Sequence, residues 1–122
     1  MPKPDTNPLL HLIQACSYSW KGLNAAVRYE HAFRQELLLA AILIPLGLYL
    51  GSGMIEKILL AGTWILVMIV ELCNSSIEAV VDLVSPDYAP LAGRAKDLGS
   101  AAVFLALGLS GFTWIMILAS HI

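Results

Sequence analysis

The sequence predicts an all-α membrane protein in which an N-terminal amphipathic surface helix precedes three transmembrane helices. Hydrophobic residues make up 58% of the 122 residues and charged residues only 13%, and the mean hydropathy is +0.76. A soluble domain of this size needs more charged side chains to cover its surface. Three apolar runs, taken with their flanks, reach the roughly 20 residues that cross a bilayer. The length predicts one domain covering residues 1–122.

The predicted surface helix covers residues 9–28. Its apolar side chains recur at spacings of three and four residues, at Leu9, Leu12, Ile13, Cys16, Trp20, Leu23 and Val27. Polar residues such as Lys21 and Arg28 lie between them. This pattern is typical of a helix that lies in the membrane interface ahead of a span. The proline-rich residues 1–8 before it predict a flexible leader.

The three predicted spans follow in order. The first covers about residues 32–53 and contains Pro45, which membrane helices tolerate. The second covers about residues 58–84 and stops where a Ser-Pro-Asp turn begins. A polar connection, residues 87–99, leads to the third span at about residues 100–120, whose small residues allow close helix packing.

The basic residues predict the orientation in the membrane. Six of the seven lysines and arginines lie on the side of the N-terminus and the polar connection, at Lys3, Lys21, Arg28, Arg34, Arg94 and Lys96, and only Lys57 lies on the other side. Cytoplasmic loops of membrane proteins carry the excess of basic residues. We therefore expect a bacterial cytoplasmic (inner) membrane protein with a cytoplasmic N-terminus and a C-terminus outside.

Several function classes are not expected. The net charge of −2 is small, and no basic face or zinc-ligand spacing suggests that the protein binds nucleic acid. Cys16 and Cys73 lie in different hydrophobic contexts and are interpreted as inert thiols.

The second half of the second span carries the most informative residues. Glu71, Asn74, Glu78 and Asp82 follow one another at spacings of three, four and four, which places them on one face of a helix. A carboxylate at the depth of Glu71 costs on the order of 2.5–3.5 kcal/mol. These groups could tie helices together through hydrogen bonds, but several acids in line exceed what packing requires. The stripe favours a proton, ion or substrate site.

Residues outside the stripe extend this hypothesis. Glu30, at the end of the surface helix, is expected at the same depth as Glu78, and two such carboxylates suit a hard cation such as Mg²⁺. Arg94, Lys96 and Asp97 lie just before the third span, and basic side chains beside acids and a cation suit a nucleotide polyphosphate. Each of these residues taken alone is also compatible with an ordinary charge at the membrane interface.

Four segments together resemble the small bacterial integral-membrane diacylglycerol kinases. They are ELCNSSIEAVVD (71–82), GRAKDLGSAAV (93–103), YSWKGLNAA (18–26) and EHAFRQE (30–36). The resemblance extends from about Leu10 to the C-terminus. It implies a homotrimer with active sites between subunits, and transfer of the γ-phosphate of MgATP to 1,2-diacylglycerol to give phosphatidic acid.

The resemblance also implies roles for individual residues. Glu71 would be the general base, and Glu30 and Glu78 would hold the Mg²⁺ that bridges the ATP phosphates. Asn74 would orient the γ-phosphate, and Lys96 would neutralise phosphate charge.

The remaining implied contacts surround this centre. Asp97 would fix Lys96 or help to hold the nucleotide, while Tyr18 and Asp87 would edge the ATP site. The lipid substrate would be contacted, besides Glu71, by Ser19, Trp20, Phe33, Arg34, Gln35, Glu36 and Ser100.

His11, Gln14 and Asn24 depart from the family pattern, which weakens any nucleotide contact from the surface helix but leaves the two central motifs intact.

Two alternative functions remain open. A related branch phosphorylates undecaprenol, although the AFRQE and YSWKGL segments favour the diacylglycerol branch. A small proton- or ion-translocating subunit would explain the acid stripe but gives no role to the Arg-Ala-Lys-Asp segment.

Overall fold

A computed structural model describes residues 7–122, which form four helices and no strands. These are α1 (Pro8–Tyr29), α2 (His31–Leu50), α3 (Gly53–Val84) and α4 (Pro90–Ser120). The last three are each long and apolar enough to cross a membrane, so the protein is a multi-pass membrane protein with an all-α fold, as predicted. The first six residues of the expected leader, including Lys3, lie outside the described residues.

Helix α1 begins and ends at recognisable signals. The side chain of Asn7 accepts a hydrogen bond from the Leu9 backbone N–H at 3.1 Å, and Pro8 occupies the first helical position, where its missing N–H costs nothing. At the other end, Glu30 has an extended backbone, with φ −108° and ψ 106°. A single residue therefore separates the surface helix from the first span.

Helix α3 is the centre of the bundle and packs against both α2 and α4, while α1 makes few contacts with α2. The core consists of Ala40, Trp64, Val67 and Ala106, and partly buried Leu43, Ile44, Met68 and Val70 pack against it. Most other large apolar side chains on the three spans are exposed. In a membrane protein such side chains meet lipid or neighbouring subunits.

The turn between α2 and α3 is tied to the end of the chain. Gly53 begins α3 with a φ of +81°, a conformation that favours glycine. Glu56 accepts a hydrogen bond from the Ser52 backbone N–H at 2.6 Å, and both of its carboxylate oxygens lie 3.1 Å from His121 Nε2. This contact links the first turn of α3 to the last residues of α4, at the end of the bundle opposite to Glu71.

Most of the polar connection predicted over residues 87–99 is helical. Helix α4 begins at Pro90, ten residues before the predicted start of the third span. Proline favours the first turn of a helix, and the polar residues after it extend the apolar span rather than interrupting it. Helices α3 and α4, with 32 and 31 residues, are therefore about 45–50 Å long, which exceeds a hydrocarbon layer of about 30 Å.

Candidate active site at the polar end of the bundle

The acid stripe of α3 runs from the interior to the surface. Glu71 and Asn74 are buried, with 7% and 8% of their surfaces exposed, Glu78 is half-buried and Asp82 is exposed. Asn74 Nδ2 donates to Glu78 Oε1 at 3.4 Å. The stripe thus passes from a protected carboxyl group to one that faces water along a single helix face.

Asn74 packs closely against α4. A β-carbon at Gly99 of α4 would overlap Asn74 Oδ1, so only glycine leaves room for this side chain. The same Oδ1 is buried and has no hydrogen-bond partner. This oxygen is therefore an exception to the rule that buried polar atoms are hydrogen-bonded.

Three carboxyl groups, each from a different segment, lie within electrostatic range of Glu71. Glu30 and Glu78 both lie close enough to interact electrostatically with Glu71, and Glu36 of α2 interacts in the same way with Glu71. Glu36 is buried, and its Oε2 has no hydrogen-bond partner. The structure therefore brings together in one chain the acids that the sequence placed on the surface helix junction, the first span and the second span.

The corner that carries Glu30 is held by Arg34. The guanidinium Nη1 of Arg34 donates to the backbone oxygens of Val27 at 3.1 Å and Arg28 at 3.0 Å. These carbonyls belong to the last turn of α1, where a positive charge also complements the helix dipole. Arg34 thus fixes the direction in which α2 leaves α1, and with it the position of Glu30.

Two of these acids fit the predicted metal. Glu30 and Glu78 supply only hard oxygen donors, and both lie near Glu71. Among the described residues, no three His, Cys, Asp or Glu side chains are grouped closely enough to enclose a metal ion. Mg²⁺ is usually held by one or two carboxylates together with substrate phosphates and water, so this donor set is suitable for it.

Lys96 forms an ion pair with Asp82 rather than with Asp97. Its Nζ lies 2.6 Å from Asp82 Oδ1 of α3, whereas Asp97, the residue expected to fix it, is exposed. Adjacent residues on a helix point about 100° apart, so Lys96 can face α3 only if Asp97 turns away. Asp82 is therefore the ion-pair partner of Lys96 in this chain, and both roles expected of Asp97 stay predictions.

A small cavity of about 250 Å³ lies at the turn between α3 and α4. Its lining includes Asp82, Asp87, Tyr88 and Lys96. It therefore joins two residues predicted for the ATP site. Tyr18, which is also predicted to edge the ATP site, is exposed on α1, where the Lys21 ammonium lies 5.7 Å from its ring centroid.

A larger groove of about 570 Å³ lies between α1 and α3. Its walls are mostly apolar, and its polar members are Ser19, Glu30, Ser75 and Ser76. The groove therefore ends at the carboxyl cluster through Glu30. An apolar groove with a few polar groups at one end is suited to a lipid with a polar head.

The other residues predicted to contact lipid are dispersed around α1, α2 and α4. Phe33 is buried, with 2% of its surface exposed, while Trp20 is 68% exposed. Gln35 Nε2 lies 3.2 Å from His31 Nε2 on the surface of α2, and Ser100 is exposed on α4. No single surface of one chain collects all of them.

Sequence reasoning missed two residues that shape the site. Gly99 was not singled out, although a glycine within a helical pattern often marks a close approach. Trp64, whose indole N–H donates to the Glu36 backbone oxygen at 3.0 Å, lies within an apolar stretch of the second span. A tryptophan in the middle of a span, away from the membrane interface, was the available signal.

Comparison with known proteins gives one consistent result. Residues 17–118 match the family model described as prokaryotic diacylglycerol kinase. The chain is 50% identical to a diacylglycerol kinase of Haemophilus influenzae, over 89% of this chain and 92% of the relative. It is 45% identical to the diacylglycerol kinase of Escherichia coli K12, over 96% of each. A Pseudomonas aeruginosa diacylglycerol kinase is 46% identical, over 90% of this chain and 89% of the relative.

The matched region includes α2 and α3 completely, almost all of α4 and the second half of α1. Every residue of the carboxyl cluster lies within it. By the extent of this match and by its relatives, the chain belongs to the prokaryotic diacylglycerol kinase family.

Proposed function

We propose that this protein is an ATP-dependent diacylglycerol kinase, which transfers the γ-phosphate of ATP to the free hydroxyl of 1,2-diacylglycerol and releases phosphatidic acid and ADP. Family membership supports the reaction. The observation that carries the assignment of the site is the buried carboxyl group of Glu71, surrounded by Glu30, Glu36 and Glu78.

Glu71 is the proposed general base. Its carboxylate accepts the proton of the lipid hydroxyl as the lipid oxygen attacks the γ-phosphorus, and the bond from that phosphorus to the bridging oxygen of ADP breaks. A base positioned in this way contributes typically 10²–10⁴-fold to a rate. Its burial limits the access of water, and the neighbouring Leu72 and Ser75 line the apolar groove that is proposed to admit the lipid.

Glu30 and Glu78 are the proposed ligands of Mg²⁺ that accompanies ATP. The ion, when bound, neutralises charge on the phosphate oxygens during transfer. Glu78 also accepts the hydrogen bond from Asn74 Nδ2. That bond orients the carboxamide, so that Nδ2, the group able to donate to a phosphate oxygen, has a fixed direction.

Lys96 is the proposed phosphate-binding cation. It is exposed enough to exchange its partner Asp82 for a phosphate oxygen, since exposed ion pairs contribute little to stability. Tyr18, Asp87 and Asp97 are proposed to edge the nucleotide. Asp87 already shares a cavity with Lys96.

The proposed lipid path follows the groove between α1 and α3 to Glu71. Ser19 and Glu30 line this groove, and Trp20 is exposed beside it on α1. Phe33, Arg34, Gln35 and Glu36 lie in the first turns of α2, and Ser100 is exposed on α4 next to Gly99. Of these, Glu36 is the one whose carboxyl group interacts with Glu71.

The proposed assembly is a homotrimer with active sites shared between subunits, in the inner membrane, with a cytoplasmic N-terminus. The exposed apolar surface of the three spans supports association, and the distribution of lysine and arginine supports the orientation. Mixing inactive Glu30→Gln and Glu71→Gln subunits tests sharing. Rescue supports it, whereas no rescue in verified mixed oligomers would show that each chain holds a complete site.

The direct test is purified protein in lipid, supplied with MgATP and with diacylglycerol or undecaprenol in parallel, while lipid phosphate is counted. The proposal expects a strong preference for diacylglycerol. A preference for undecaprenol would keep the mechanism and overturn the substrate. Phosphorylation of neither lipid by folded protein would overturn the kinase and return attention to the carboxyl cluster as a proton or ion pathway.

A further inference from the structure

Trp64 occupies an unusual place for a membrane tryptophan. It lies on α3, eleven residues after the helix begins, within the buried core and with 7% of its surface exposed. Tryptophans of membrane proteins concentrate at the two interfaces, where the indole N–H can meet water or headgroups. In the middle of a span, that N–H needs a partner within the protein.

The partner is the backbone oxygen of Glu36, which accepts from Trp64 Nε1 at 3.0 Å. A carbonyl oxygen has two lone pairs, so it can accept this bond in addition to the bond within its own helix. The contact joins α3 to α2 in a buried position, where an indole N–H without a partner would be destabilising. It therefore fixes both the rotation and the depth of α2 relative to α3.

The residue held in this way carries the carboxyl group that faces Glu71. Trp64 and Glu71 are seven residues apart on α3, which is about two helical turns, so they share a face. Glu36 interacts electrostatically with Glu71, but its Oε2 has no hydrogen-bond partner. The hydrogen bond from the Trp64 side chain to the Glu36 backbone oxygen is thus the contact with α3 that positions this carboxyl group.

We propose that Trp64 is a positioning residue that holds Glu36 beside Glu71 at the lipid end of the active site. The inference rests on the proposed function. Glu30 has separate anchors, because its backbone N–H bonds to Ala26 O and Arg34 fixes the corner around it. Loss of the Trp64 bond therefore acts on the acceptor lipid and leaves the nucleotide site in place.

Trp114 offers a matched control for the experiment. Its Nε1 donates to the Leu60 backbone oxygen, also at 3.0 Å, and so joins α4 to α3 away from the carboxyl cluster. Trp64→Phe and Trp114→Phe each remove one interhelical hydrogen bond of the same kind. Both proteins are assayed in lipid for kcat and for the KM values of MgATP and diacylglycerol, with thermal unfolding followed alongside.

The expected result is a fall in kcat of about ten- to hundredfold for Trp64→Phe, with the KM of MgATP within twofold of the wild-type value. Trp114→Phe should retain kcat within about twofold at a comparable loss of thermal stability. Equal kcat values for the two variants, or a Trp64→Phe defect confined to the KM of MgATP, would overturn the proposal. An inactive wild-type protein would instead overturn the proposed function.

A second variant covers the case in which Trp64→Phe does not fold. Replacement of Trp64 by 3-benzothienylalanine keeps the shape of the ring system and removes only the N–H. The same selective loss of kcat is expected from it. Full activity of that protein would show that the ring packs against α2 without positioning Glu36 through its hydrogen bond, and would overturn the proposal.

Discussion

Gly99 of α4 packs directly against the carboxamide of Asn74, leaving no room for a β-carbon. The contact sets the separation of α3 and α4 at the level of the carboxyl cluster. It also orients the side chain that we place beside the γ-phosphate. A residue without a side chain thereby determines the geometry of one that acts in the site.

Gly99→Ala should therefore reduce activity more than the addition of one methyl group would at an open position. The added methyl group would displace the Asn74 carboxamide or separate the helices, and overpacking of this kind typically costs about 1–3 kcal/mol of stability. We expect kcat to fall at least about tenfold, measured as lipid phosphate formed in mixed micelles. Gly108→Ala, on the same helix and with open space around the new methyl group, is the control and should change little.

Glu71→Gln should abolish turnover and preserve nucleotide binding. The change removes proton transfer but keeps the size of the side chain, so kcat should fall by roughly 10²–10⁴. Binding is measured as the rise in unfolding temperature that MgATP produces. Loss of this stabilisation together with activity would instead place Glu71 among the metal ligands.

Glu78→Gln and Glu30→Gln should each raise the Mg²⁺ concentration needed for half-maximal activity. Each removes one of the two charged oxygen ligands proposed for the ion. The measurement is a Mg²⁺ titration at fixed ATP. Glu56→Gln, at the opposite end of the bundle, serves as the control, and a Mg²⁺ requirement that is the same in all variants would refute the assignment.

Arg34→Ala should loosen the corner between α1 and α2. It removes two hydrogen bonds to the last turn of α1, and we expect a loss of about 1–3 kcal/mol of stability together with a higher Mg²⁺ requirement, because Glu30 loses its fixed position. Arg28→Ala removes an exposed basic side chain from the same turn but keeps the carbonyl acceptor. Equal effects of the two substitutions would show that charge, rather than capping, is responsible.

The sequence predicted those parts of the fold that depend on local periodicity. The spacing of Glu71, Asn74, Glu78 and Asp82 was sufficient to place them on one face, because residues on one helix have a fixed angular relationship. The start of α4 was missed, since polar residues within the helix resembled a loop. Polar composition indicates which residues are exposed to water, not where a helix ends. A helix that extends beyond the bilayer carries polar residues in the part that water surrounds.

Contacts between helices could not be predicted in the same way. The bond from Trp64 to the Glu36 carbonyl and the pairing of Lys96 with Asp82 depend on the relative rotation and depth of packed helices. Those quantities follow from the fit of many side chains. For the same reason, the sequence did not predict that Arg34, which the resemblance assigns to the lipid substrate, also caps the last turn of α1.

The acid stripe of α3 has a consequence for how substrates and products move. From Glu71 to Asp82 the stripe rises about 16 Å along the helix axis, from a buried carboxyl group to an exposed one. The two substrates can then arrive from perpendicular directions, the lipid sideways out of the bilayer and the nucleotide from the water above. In the proposed reaction phosphatidic acid and ADP leave by the same two routes, so each turnover exchanges material with two solvents, the bilayer and water.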